Sequence, residues 1–212
     1  MQLDIVIDVV CPWCYVGKKQ LDKALEMRPE AISLKRWRPY QLAPETPVEG
    51  VDRRAYYKQK FGDDSPQLSA MREHLLKTGA GLGIKFDFES DCLVANTLDA
   101  HRLIRWALGT NVQDLVAENL MQRYFEDCAF LGDTDLLLDV AGKAGMDVGL
   151  VSELLESDED KKLVSEEIMQ ARKMGIQGVP MFIFDGKSGV SGAQEAAVLV
   201  DVIDKLSSGQ TA

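Results

Sequence analysis

Histidine is scarce in this chain, with two residues in 212, and outside one Cys-x-x-Cys there are only two more cysteines. No second Cys-x-x-Cys and no His-x-x-x-His is present, so the further ligands that a zinc site would need have no motif to supply them. No apolar run approaches the length of a membrane span, and no membrane partner is expected. The seven prolines are dispersed, no low-complexity segment stands out, and no repeat of solenoid or propeller length recurs. Basic residues are outnumbered, 24 against 34 acidic, and the net charge of -10 would repel a phosphate backbone, so nucleic acid is not an expected partner. The start of the chain lacks the basic residues and unbroken apolar core of a signal peptide, which reads as cytoplasmic.

What is present is a chain long enough for one large domain, or a domain with a substantial insertion, and rich enough in apolar residues (46%) to pack a core without disulfide staples. Its most informative feature is Cys11-Pro12-Trp13-Cys14, directly behind an apolar run and directly ahead of a helical pattern. Two thiols at that spacing on a strand-to-helix turn can close and reopen a disulfide with little backbone movement. Thiol–disulfide exchange needs a thiolate attacker, and the unpaired N–H groups of a first helical turn stabilise such an anion. Cys11 is therefore assigned as the exposed nucleophile, with the lower thiol pKa, and Cys14 as the resolving thiol. Pro12 and Trp13 between them would tune the reduction potential.

Alternation of Leu3, Ile5, Ile7 and Val9 predicts a first strand, followed by a helix over 12–27 and a less regular strand over 32–37. That order suggests a right-handed parallel crossover. Pro39, Pro44 and Pro47 then mark a connection, after which the patterns are almost wholly helical: 51–61, 66–82, 95–108, 112–131, 135–144 and 148–155. Gly79, Gly81, Gly83, Gly109, Gly132 and Gly145 are the expected helix stops. A helix over 159–174, a strand beginning at Val179-Pro180, a short strand around 189–192 and a last helix over 194–206 close the chain. The expected organisation is a discontinuous α/β unit, 1–47 and 159–212, enclosing a helical insertion, 48–158.

Four stretches resemble the DsbA family of thioredoxin-fold oxidoreductases, most closely its FrnE-like branch. They are the segment from Asp8 through the dithiol to Lys18, Asn96-Thr97 with Ala100-His101-Arg102-Leu103, the segment from Gly175 to Phe182, and Ser191-Gly192-Ala193-Gln194. The resemblance implies an α/β thioredoxin fold with a large all-helical insertion, DsbA-like. It implies that Val179–Pro180 is cis and faces the dithiol, although a proline at the mouth of a strand is ordinarily trans. It also implies that Val179 pairs with an extended substrate segment and that Gly178 lets that segment approach. Substrate contacts are then expected from Pro12, Trp13, Gly178, Val179, Pro180, Asn96, His101 and Gln194. The partners implied are protein or small-molecule thiols and disulfides. No tightly bound cofactor is expected, and glutathione stays open as reductant or co-substrate. Hydroxychromene-carboxylate isomerases and kappa-class glutathione transferases share the architecture but usually carry serine where Cys11 stands. A glutathione-dependent isomerase or transferase is thus the alternative function.

Several residues admit two readings. His101 could be a base facing the cleft or a buried histidine with a backbone or carboxylate partner, and Asn96 could line the cleft or cap a helix. Asp8 could assist proton transfer to Cys14 or cap the turn. Gln194 could bind substrate or cap the last helix. Cys92 and Cys128 could pair if their Cα atoms approach within about 7 Å, but buried free thiols are the expectation.

Overall fold

The computed structural model describes residues 1–63 and 65–209. In chain order its elements are β1 (Gln2–Ile7), α1 (Pro12–Met27), β2 (Leu34–Pro39), β3 (Val51–Asp52), α2 (Arg53–Phe61), α3 (Pro66–Leu82), β4 (Leu93–Val94) and α4 (Leu98–Trp106). There follow α5 (Gln113–Phe125), α6 (Thr134–Lys143), α7 (Val148–Glu156), α8 (Lys161–Lys173), β5 (Met181–Phe184), β6 (Ser188–Ser191) and α9 (Ala196–Ser207). The main sheet has the order β2-β1-β5-β6, with β1 parallel to β2 and the other pairs antiparallel.

Strand β1 is central and covered on both faces. Leu3, Ile5 and Ile7 enter the main core, while Val6 points the other way into a small cluster with Tyr40, Ala171 and Ile176. That cluster is the seat of α8 on the far face. Strand β2 begins and ends two residues later than the pattern suggested. Its register is set by partners: Trp37 lies opposite Ile5, and Arg36 forms a two-pronged pair with Asp4 at 2.8 and 2.9 Å. At this sheet edge the Trp37 N–H donates to Gln113 Oε1 at 3.1 Å, so a side chain of α5 stands in for a missing strand.

Helix α1 starts where expected because Pro12 occupies the first turn, where its missing N–H costs nothing. It packs against α9, α3 and α5. On the α5 side the Lys18 ammonium, 3% exposed, lies 2.6 Å from Asp22 and 3.5 Å from Asp114, and it also meets Glu118. Burial works to lower the Lys18 pKa, but the three carboxylates prevail and raise it. Arg102, fully buried on α4, donates to the carbonyls of Leu154, Ser157 and Glu159. These carbonyls lie in the last turn of α7 and in the segment after it, and their capture holds the return of the chain toward α8.

Four local expectations change. Residues 51–52 are not helical: Val51 and Asp52 pair with Val94 and Leu93 in a two-stranded ladder, so the insertion is not purely helical. The helix then starts at Arg53 because Asp52 accepts the Ala55 N–H at 2.7 Å. Gly79 and Gly81 lie inside α3, and the stop is Gly83, with φ of 77°. At Gly79 a Cβ would meet the Phe86 ring at 2.7 Å, so close packing accounts for that residue. Finally, Cys92 and Cys128 are not free thiols but a disulfide, with Cα atoms 5.4 Å apart. The helix expected over 112–131 ends at Phe125, and Cys128 adopts φ of 56°, which turns the segment back toward Cys92.

Candidate active site

Cys11 is the N-cap residue of α1. Its N–H is held by the Asp8 carbonyl, and its own carbonyl accepts the Cys14 N–H, both at 3.0 Å. The turn is thereby fixed by backbone alone. Cys11 was expected to be exposed; it is 5% exposed, against 0% for Cys14, and reaches solvent through a cavity. Its Sγ lies 3.5 Å from the Val179 carbonyl oxygen. Cys14 is sealed one turn behind. Burial, and then the hydrogen bond and charge of Cys11, push the Cys14 thiol well above its ordinary pKa.

The Val179–Pro180 peptide is cis. Pro180 is buried against α1, and the contact depends on Gly17: a Cβ there would sit 2.8 Å from Pro180 Cγ. Gly178 is exposed and a Cβ on it would meet nothing within 4 Å. Cys11, Pro12, Trp13, Gly178 and Val179 thus share one wall of a cavity of about 200 Å³. The opposite wall comes from the insertion, chiefly Tyr56, Tyr57, Lys60 and Phe61 on α2, with Met71 on α3 and Tyr124 on α5. Burial, followed by the nearby Cys11 sulfur, pushes the Tyr57 hydroxyl up to about 12, with Arg53 and Arg72 opposing. Burial likewise raises Tyr124. Trp13 also meets His74 of α3, ring centroids 5.4 Å apart.

The remaining candidates serve the frame around this cavity. Asp8 is fully buried; its Oδ2 accepts the Leu42 N–H at 2.8 Å, while Oδ1 has no hydrogen-bond donor among the described residues. His101, 2% exposed, donates from Nε2 to the Tyr40 carbonyl at 2.8 Å. Its 3.4 Å approach to Asp8 Oδ1 is too long to hydrogen-bond a proton already directed at Tyr40. Asn96 does not line the cavity. Its Nδ2 donates to the carbonyls of Pro44 and Thr46 at 3.3 and 2.9 Å, and its Oδ1 accepts from Gln41 Nε2 and from the Leu98 N–H. It clips the connection over 41–46 to the start of α4. Gln194 folds back onto the Ser191 carbonyl at 2.8 Å, and Gln20 of α1 accepts the first N–H of α9 instead. The aromatic wall and Lys60 had only a faint signal in the sequence, a Tyr56-Tyr57 doublet in an otherwise polar helix.

The DSBA-like thioredoxin domain profile matches residues 2–204. The chain belongs to the DsbA-like thioredoxin family. The crystal structure of a probable DsbA oxidoreductase from Streptomyces coelicolor superposes on this family member with a TM-score of 0.89 at 28% identity, covering all of this chain and 92% of that one. A 2-hydroxychromene-2-carboxylate isomerase gives a TM-score of 0.74 at 16% identity, covering 99% of this chain and 97% of that one. The cytosolic disulfide reductase DsbM from Pseudomonas aeruginosa, solved with GSH, gives 0.65 at 14%, covering 99% of this chain and 98% of that one. Both of these are likenesses of fold. An uncharacterized protein of Bacillus subtilis (strain 168), YwbO, is 23% identical over 91% of this chain and 90% of its own length. Among the described residues no helix is long and apolar enough to cross a membrane.

Proposed function

We propose that this protein is a thiol–disulfide oxidoreductase working through the Cys11–Cys14 dithiol. The observation that carries the reading is the juxtaposition at α1: Cys11 Sγ on a cavity wall and 3.5 Å from the Val179 carbonyl, with Cys14 sealed behind it. Membership of a family whose proteins are in general thiol–disulfide oxidoreductases supports it.

In the reductive direction the Cys11 sulfur attacks one sulfur of a substrate disulfide. A Cys11–substrate bond forms as the substrate S–S bond breaks, and the released sulfur takes up a proton. Cys14 then gives up its proton, its sulfur attacks Cys11, and the second substrate thiol leaves. The substrate has gained two electrons and the pair has become a disulfide, which a thiol such as glutathione reopens; the reverse sequence oxidises a substrate dithiol. Since burial holds Cys14 protonated, the second step needs an acceptor, and Asp8, with one oxygen that meets no donor among the described residues, is the buried carboxylate beside it. Pro12, Trp13, Gly178 and Val179 are the substrate contacts of this reading, the last through strand addition. Pro180 sets the Val179 carbonyl, while Asn96 and His101 act as positioning residues, Asn96 for the connection over 41–46 and His101 for the Tyr40 carbonyl. A cytoplasmic setting belongs to the same reading, since the Pseudomonas neighbour is described as cytosolic.

Trapping with Cys14→Ser in cell extract tests the reading, since the resolving step is then blocked. Proteins released from the variant by reductant are the expected result. Glutathione as the sole adduct would favour a glutathione-dependent isomerase or transferase, and no adduct at all would overturn the redox reading.

A further inference from the structure

The cavity beside Cys11 does not end at Tyr56. A second cavity, about 450 Å³, adjoins it, and Leu42, Tyr56 and Lys60 line both. The far wall of this second cavity includes Ala43, Thr46 and Pro47, part of the connection that Asn96 clips in place. Alone, the first cavity, at about 200 Å³, is smaller than the roughly 300–1,000 Å³ typical of sites for compact ligands. The two together fall inside that range and are elongated away from the thiol.

Their lining is uneven in charge. Around Cys11 the side chains are apolar or aromatic, and among the described residues the one cation lining that cavity is Lys60, at the junction. Its Nζ lies 5.5 Å from the Tyr56 ring centroid and 5.9 Å from that of Phe61, and 3.3 Å from the Tyr56 hydroxyl. The stem is laid along the aromatic wall and the ammonium stands at the rim. Glu45 lines only the outer cavity. The field of a chain with a net charge of -10 disfavours anions generally, so a cation fixed beside the dithiol is a local reversal of sign.

We propose that the two cavities form one groove for an extended polypeptide segment flanking a substrate cystine, and that Lys60 selects a carboxylate side chain next to that cystine. Glu45 disfavours a second acidic residue farther along. This rests on the thiol–disulfide reading of Cys11 and adds to it the class of segment that is taken.

The test uses cystine peptides that differ only in carrying Asp, Ser or Lys beside the half-cystine, with glutathione disulfide and a small uncharged disulfide as controls. For the unmodified protein we expect kcat/KM to favour Asp over Lys by about three- to tenfold at low ionic strength, less in high salt, as for exposed charge pairs. Lys60→Gln should remove the preference and Lys60→Glu invert it, each read as the ratio of Asp to Lys peptide after normalising to the small disulfide with the same variant. A preference that is absent, or unchanged in both variants, overturns the proposal. A dependence on Lys60 as large for glutathione disulfide as for the Asp peptide would reduce the groove to a tripeptide pocket and overturn the extended occupant. If no disulfide is turned over, the redox reading itself fails, and the groove is judged by the affinity of the same peptides with Ser in place of Cys. Equal affinities for the Asp and Lys peptides then overturn it.

Discussion

Cys11 and Cys14 stand one turn apart at the start of α1, both as free thiols, one facing a cavity and one sealed. Cys92 and Cys128 lie 36 residues apart, in irregular segments before β4 and after α5, and are joined. The contrast separates a switch from a staple. Closing a one-turn loop restricts the unfolded chain less, by roughly 2 kcal/mol on the loop-entropy relation. A bond across 36 residues removes roughly 3–4 kcal/mol of loop-closure entropy from the unfolded ensemble. The staple also sits where it can serve the site. The Arg53 N–H, at the start of the helix that carries Tyr57 and Lys60, donates to the Cys92 carbonyl at 2.9 Å.

The sharpest way to break this comparison is to exchange losses between the pairs. Cys11→Ser is expected to lower disulfide exchange on the order of a thousandfold or more, as removal of a nucleophile does, with little change in melting temperature. The Cys92→Ala/Cys128→Ala variant is expected to do the opposite: a loss of about 3 kcal/mol in denaturant unfolding with turnover largely kept. Turnover that fell as far as in Cys11→Ser would make the second pair part of the redox machinery.

A smaller effect probes the frame around the switch. Gly17→Ala forces a methyl to within 2.8 Å of Pro180 Cγ, and a loss of about 1–3 kcal/mol is expected, with slower exchange because Val179 moves with Pro180. Unchanged stability and rate would mean that the α1–Pro180 contact gives way freely. The smallest expected effect lies in one pH profile. Burial is the largest cause of the raised Cys14 pKa and persists when Cys11 is replaced. In Cys11→Ser, therefore, alkylation of Cys14 should stay slow through neutral pH and rise only above the range of an ordinary thiol. By the same sign, the native state holds the Cys14 proton more tightly than the unfolded chain, so its contribution to stability is lost as pH rises. Rapid modification at neutral pH would show Cys14 to be reachable, and the division of roles between the two thiols would fall.

Much of the frame was legible because local signals are strong where caps and prolines coincide with apolar periods. The helices over 12–27 and 66–82 were readable to the residue, each opened by a proline in its first turn. The β3–β4 ladder was not, since two residues per strand carry no period and Asp52 reads equally well as part of a helix. The shift of β2 was hidden because Trp37 and Arg36 answer to partners in β1 rather than to their neighbours. At the site, Cys11 and Cys14 were visible from spacing, whereas Gly17 became informative only once Pro180 was seen against it.

By itself, then, the sequence determined the geometry of the dithiol: four residues, a proline in the first turn and a strand behind them leave two thiols on one helix end. Backbone dihedrals over so short a stretch have few alternatives. Only the tertiary structure decided what those thiols face. Val179 comes from 168 residues away, and Asp8 gains its setting from Leu42. Tyr57, Lys60 and Tyr124 arrive on helices of the insertion, and Cys128 meets Cys92 across α5. Such encounters depend on closing long loops and burying shared surface, and nothing in a residue's immediate neighbours records which distant partner makes that closure favourable.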